Sequence, residues 1–177
     1  MSLDDNVRDG TRPKPLFKPV APWQASGHIT DFLPVNPQEF SKYIRQKFNI
    51  RMNYALTHNN LRDFIDALGL RPVAFYNQPN HWTLLVDAQD KMRVYDPTRG
   101  IVSIDYAAVL KGTDSGRTSV IFLPEGHQRM FQNPDFLQDK SYWLPIERLT
   151  ALGSIQRKRT ECGDMCVYAA AVAKRKI

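Results

Sequence analysis

The residue of this sequence best suited to chemistry is Cys162, in the run Gln156-Arg-Lys-Arg-Thr-Glu-Cys162-Gly163-Asp-Met-Cys166. The small and apolar residues that follow, CGDMCVYAAAVAK, predict a buried helix over 162–174 with the cysteine in its first turn. A thiol there faces unpaired N–H groups and the positive end of the helix dipole, both of which favour the thiolate that attacks a carbonyl. Gly163 permits close approach of a substrate backbone. The Cys162 N–H is a natural oxyanion donor, and the side-chain amide of Gln156 is a second. Cys166, one turn further on, reads as a core residue. The two thiols project along one helix face, so a disulfide would require distortion. With no nearby histidine they also fall short of a four-ligand zinc site, so neither a metal nor a cofactor is expected.

A thiolate of this kind needs a base. The segment His81-Trp-Thr-Leu-Leu-Val-Asp87, Ala88-Gln89, Asp90-Lys-Met-Arg-Val-Tyr-Asp96 predicts a β-hairpin. With Ala88-Gln89 as the loop, Asp87 faces Asp90 and His81 faces Asp96. Directly opposed residues share a sheet face with Cβ atoms about 4.5–5.5 Å apart, close enough for a carboxylate to fix the imidazole tautomer. A one-residue slip in that register would separate the pair onto opposite faces.

The elements that must hold these residues follow from periodicity. Phe40, Tyr43, Ile44 and Phe48 recur at helical spacing behind Asn36, a natural N-cap, and Pro37, suited to the first helical position. A second helix is expected over 60–68, capped by Asn59 or Asn60, with Leu61, Phe64, Ile65 and Leu68 inward and Gly69 at its end. Strands are expected over 72–76, 81–87, 91–95, 119–123 and 149–156, and a short helix over 104–110. Helices, then a mostly antiparallel sheet, then one buried helix bearing the nucleophile define an α+β fold.

The set His81-Trp82, Asp96-Pro97, then Gln156-x5-Cys162-Gly163-x-x-Cys166 resembles the adenain and ubiquitin-like-protein protease superfamily of cysteine peptidases. Its members carry His, Asp or Glu, Gln and Cys in this chain order, with tryptophan after the histidine and glycine after the cysteine. The resemblance covers about residues 70–174. It implies Cys162 as nucleophile, His81 as general base and then acid, Asp96 as the orienting acid and Gln156 as oxyanion donor. It also implies an antiparallel sheet flanked by helices, with Trp82 beside the imidazole, roofing a narrow channel that favours a small residue before the scissile bond. The His81–Asp96 interval is tight, and the chain ends soon after the Cys162 helix, whereas relatives often continue with further helices.

Bulk properties bound these expectations. A chain of 177 residues with 42 % hydrophobic residues suits a single peptidase domain over 36–177, preceded by a Pro-rich extended arm over 1–35. No apolar run approaches a membrane span, and the N-terminus lacks the apolar core of a secretory signal, so a soluble intracellular monomer without membrane contact is expected. The net charge of +6, with basic runs at Arg157-Lys158-Arg159 and Lys174-Arg175-Lys176, permits non-specific DNA contact. Small size and positive charge resemble adenain, which implies a virus-encoded maturation protease cutting capsid or other virion proteins in host cytoplasm, nucleus or virion. The alternatives are an isopeptidase acting on ubiquitin or a related modifier, an acetyltransferase using the same residues, and a basic nucleic-acid-binding protein with an inert thiol.

Overall fold

The computed structural model describes residues 36–48, 58–123, 127–129 and 139–177. The arm expected over 1–35 lies outside the described residues. Helix α1 (Pro37–Phe48) and helix α2 (His58–Ala67) precede strands β1 (Val73–Gln78), β2 (His81–Ala88), β3 (Met92–Asp96) and β4 (Gly100–Ile104). Helix α3 (Tyr106–Asp114), strands β5 (Ser119–Leu123) and β6 (His127–Arg129), helix α4 (Ile146–Leu152) and helix α5 (Cys162–Ala173) follow, with short 3-10 turns at Lys140–Tyr142 and Arg159–Glu161. The strands form one sheet in the order β4-β3-β2-β1-β5-β6, every neighbouring pair antiparallel. The α+β architecture expected from the sequence is therefore present.

Helix α1 begins as its residues dictate. The Asn36 side chain accepts from the N–H groups of Gln38 (2.9 Å) and Glu39 (3.1 Å), satisfying two donors that a helix start leaves unpaired. Phe40 and Ile44 of α1 and Leu61, Phe64 and Ile65 of α2 are fully buried. They pack with Val73, Phe75, Leu84, Val86, Ile121 and Leu123 on one face of the sheet. Helix α5 joins the same cluster. All of its residues but Val172 are buried, which fits a helix apolar all round and built on Ala169-Ala170-Ala171, small enough to lie close against the strands. The opposite face of the sheet (Ala74, Tyr76, Leu85, Val94, Val120 and Phe122) is covered by Val109 of α3 and by Tyr142. Both faces are occupied, which is why β2 is apolar along most of its length rather than alternating.

Three local readings are corrected. Residues expected to form a strand over 149–156 instead end α4, whose Ile146, Leu149 and Leu152 recur every third residue and pack into the core. Gly153, at φ +61°, stops that helix, and the chain then runs extended. Strand β4 and the short β6 were not expected. Helix α2 starts at His58, so Asn59 and Asn60 lie inside it rather than capping it.

The β2–β3 register also differs from the expected one. Ala88 pairs with Met92, so the loop is Gln89–Lys91 and not Ala88-Gln89. This shifts the pairing by three residues. A β-bulge at Val86 then takes one residue back, so that Leu84 pairs with Tyr95. The net shift at the far end of the hairpin is two, an even number, and side-chain parity survives. His81 is thus not opposite Asp96 but diagonal to it on the same face. The bulge is anchored, since the Val86 carbonyl accepts from the Leu144 N–H at 3.0 Å.

Candidate active site

Three chain ends meet at one rim of the sheet: the start of β2, the end of β3 and the start of α5. His81 is set there by the two-residue turn Pro79-Asn80. Proline fixes φ at the first turn position, and Asn80 takes φ +63°, which few residues other than glycine accept. Asp96 is held by the next turn. Gly100, at φ +89°, pairs with Asp96, and the three-residue loop between them folds back so that Arg99 N–H donates to Asp96 O at 3.0 Å.

His81 Nε2 donates to Asp96 Oδ1 at 3.0 Å. The same oxygen accepts from Thr98 N–H at 2.9 Å and from Thr98 Oγ1 at 2.6 Å, and Oδ2 accepts from Arg99 Nε at 3.0 Å. The Asp96 side chain is only 2 % exposed. Burial alone would raise its carboxyl, but the hydrogen bonds from His81 and Thr98 outweigh that and hold it well below the usual carboxylate range. The Cys162 thiol lies close enough to the His81 ring to favour its protonated form, and because Asp96 occupies Nε2, Nδ1 is the ring nitrogen left for a second partner. The bond to Asp96, followed by the influence of the neighbouring Cys162, pushes the imidazole up to about 9 against the opposing effect of burial. At neutral pH the ring therefore carries its proton between a carboxylate and a sulfur. A protonated imidazole beside a thiol is the arrangement from which a cysteine nucleophile can be generated.

Cys162 opens α5 and is 3 % exposed. The first turn of its helix is fastened from two directions. Asp164, fully buried, accepts from Ser41 Oγ at 2.6 Å and from Arg45 Nη1 at 2.8 Å, which ties α5 to α1 and compensates a charge that would otherwise be costly to bury. Glu161, 2 % exposed, accepts from the N–H groups of Arg157 (3.0 Å) and Lys158 (3.1 Å), fixing the approach to the cysteine. The other thiol is a different case. Cys166 Sγ donates to the Trp82 carbonyl at 3.3 Å, and burial keeps it protonated well above the ordinary thiol range. Cys166 is a core residue, as expected.

Gln156 lies at the same rim. Its N–H and that of Ile155 both donate to Pro97 O (3.0 and 2.9 Å), which docks this segment directly beside Asp96. Its Nε2 donates to Lys158 O at 3.0 Å, within the loop that leads to Cys162, and its Oε1 is buried without a partner. The side-chain amide is thus close to the cysteine along the chain but engaged with its own loop. Gly163 is buried in the first turn of α5. Trp82 is corrected. It is 2 % exposed with its ring edge-on to Phe75 (centroids 5.6 Å apart), a core position and not the roof of an open channel. Trp82 belongs to the cluster that α5 packs against, and its carbonyl receives the Cys166 thiol.

Several positioning residues escaped the sequence reading. Thr98 was legible in principle, since Asp followed two residues later by Thr is a common turn in which the carboxylate accepts from the Thr backbone and hydroxyl. Glu161 supplies the carboxylate half of a capping box, hidden because Lys158 stands where Ser or Thr would mark the cap. Ser41 and Arg45 had no sequence signal, as they meet Asp164 only through the packing of α1 on α5. Among the described residues no cluster suited to holding a metal ion is present, and no helix is long and apolar enough to cross a membrane.

No protein-family model matches this chain, and no significant match was found among curated proteins or solved structures.

Proposed function

We propose that the protein is a cysteine peptidase, with Cys162 as nucleophile, His81 as general base and acid, Asp96 as the group that orients His81, and Gln156 as an oxyanion donor. One observation carries this reading: a single imidazole is hydrogen-bonded to a buried carboxylate and lies beside the thiol that opens a buried helix. The chain order His81, Asp96, Gln156, Cys162, with the first two on an antiparallel sheet and the last opening a helix, supports the resemblance to the adenain-like fold.

In the proposed reaction the Cys162 thiolate attacks the carbonyl carbon of a peptide bond. The new C–S bond pushes the carbonyl electrons onto oxygen, where backbone N–H groups and Gln156 would receive them. Collapse of that intermediate breaks the C–N bond while the His81 proton passes to the leaving amine. The neutral imidazole then takes a proton from water, which attacks the thioester. The carboxylic acid product leaves, and Cys162 and His81 return to their starting charges. Gln156 must turn its amide from Lys158 O toward the oxyanion for its part. The substrates we propose are proteins, and the small basic chain favours a virion-maturation role over modifier removal.

The test is paired. Iodoacetamide should label Cys162 faster than free cysteine at pH 7 and leave Cys166 unlabelled. Cys162→Ala should abolish cleavage of a peptide library while preserving the folded circular dichroism spectrum. Labelling of Cys162 no faster than free cysteine would remove the peptidase reading.

A further inference from the structure

The loop that delivers Cys162 carries a feature that thiol chemistry does not use. Arg157, Lys158 and Arg159 are consecutive and all exposed, and among the described residues none has an acidic partner. No carboxylate of the described residues is paired with their side chains, although Glu161 lies buried beneath the run. Glu161 accepts backbone N–H groups, Asp164 pairs with Arg45, and Asp96 is buried under His81, Thr98 and Arg99. The backbone of the three cations is fixed by five hydrogen bonds, two to Glu161, two from the Gln156 side chain (the longer at 3.5 Å) and one from Glu161 N–H to Lys158 O, and Ile155 and Gln156 just before them donate to Pro97 O. A fourth cation, Arg99, stands across the same seam. Its Nε is on Asp96 and its side chain is 63 % exposed, so the rest of the guanidinium is open to solvent. The exposed charge on this loop is all positive, with its one acid, Glu161, buried beneath, and the loop is held in place a few residues from the sulfur.

We propose that this rim selects substrates: the polypeptide that enters the site carries Asp or Glu side chains on the segment lying across residues 157–159. The inference rests on the peptidase reading and specifies its substrate class. Each exposed ion pair contributes little in water, but three on a fixed loop, added to the focusing of anions into a cleft, change selection by about tenfold.

The experiment compares the wild-type chain with the charge-reversed R157E/K158E/R159E and the neutral R157Q/K158Q/R159Q variants. Two ratios are read. One is kcat/KM for matched peptides bearing Glu or Lys around the cleavage site. The other needs no known substrate: the rate of Cys162 alkylation by anionic iodoacetate relative to neutral iodoacetamide. The wild type should favour Glu peptides and iodoacetate. The neutral variant should lose most of that preference, and the charge-reversed variant should lower both ratios about tenfold. Iodoacetamide rates should stay within about twofold in all three, showing an intact site. Ratios that do not move on charge reversal overturn the inference while leaving the peptidase standing. Loss of salt-dependent DNA binding with unmoved ratios assigns the rim to a nucleic acid and equally overturns it. Slow iodoacetamide labelling in the wild type removes the peptidase itself.

Discussion

At the turn end of the β2–β3 hairpin Asp87 receives Arg93; at the open end Asp96 receives His81. Both carboxylates are nearly buried, at 5 % and 1 % exposure, and both meet a basic side chain of the same hairpin. The Arg93 fork donates through Nε (2.6 Å) and through Nη2. Its guanidinium is always charged, and the bond to Asp87 only raises its hold on the proton, so that pair can do nothing but brace the turn. His81, pushed up to about 9, can still give up its proton in mildly alkaline solution, and a third element, α5, brings Cys162 beside it. The difference teaches that a buried acid–base pair becomes a candidate for catalysis when its base is titratable and its free edge is given to a nucleophile.

The largest test of that contrast is to damage each carboxylate in the same way. Asp96→Asn should lower kcat by roughly 10²–10⁴-fold, because an amide in that position can present its own N–H to the ring and impose the wrong tautomer. Asp87→Asn should leave Cys162 alkylation within about twofold. Comparable losses of activity from the two substitutions would erase the distinction between the two ends.

Gln156→Ala sharpens the contrast within the open end itself. It should reduce kcat by about 10²-fold, the usual cost of losing one oxyanion donor. Iodoacetamide labelling of Cys162 should be nearly unchanged, since alkylation builds no oxyanion. Turnover equal to wild type would leave Gln156 with only its role beside Lys158 O.

How much of this site could be read from residues alone depends on which interactions are local. The helix starts at Asn36 and Cys162 were legible because capping and periodicity act within a turn or two. The His81–Asp96 pairing was legible for a partly accidental reason. The observed turn differs from the expected one, yet the Val86 bulge converts an odd register shift to an even one, and the two residues still share a face. Nothing in His81–Asp96 announces that bulge, which is held by a carbonyl bond to Leu144 some sixty residues along the chain. Strand β4 was lost because Gly100-Ile-Val-Ser-Ile is short and runs directly into α3. The α4 error arose because Leu149–Gln156 holds a helix end and an extended tail, and averaging over both blurs either period. The clamp of Ser41 and Arg45 on Asp164 needed the tertiary fold.

At the turn end, removing the charge of Asp87 should appear in stability instead. Asp87→Asn leaves a partly buried guanidinium with one fewer charged acceptor, a loss of about 1–3 kcal/mol in unfolding free energy by denaturant titration. An unchanged midpoint would show that Asp87 contributes little even as a brace.

The smallest expected effect is also the one that separates a titratable base from a permanent one. The His81 pKa rises from 6.5 in the unfolded chain to about 9 in the folded one, so between those values the native state binds more protons. Its contribution to stability is complete below pH 6.5, declines as pH rises, and is gone above about 9. At about 1.4 kcal/mol per unit the full shift would be worth about 3 kcal/mol, which solvent at a side chain one-quarter exposed reduces to about 1–2 kcal/mol. Unfolding titrations at pH 6 and pH 9.5 should show that difference in the wild type and lack it in His81→Gln, while Arg93 produces no such slope. Turnover should fall through the same upper limit, because an imidazole without its proton has none to give the leaving amine. A wild-type stability curve that parallels His81→Gln across this window would mean that His81 is no better held in the folded protein than in water, and the open end would then be as inert as the turn.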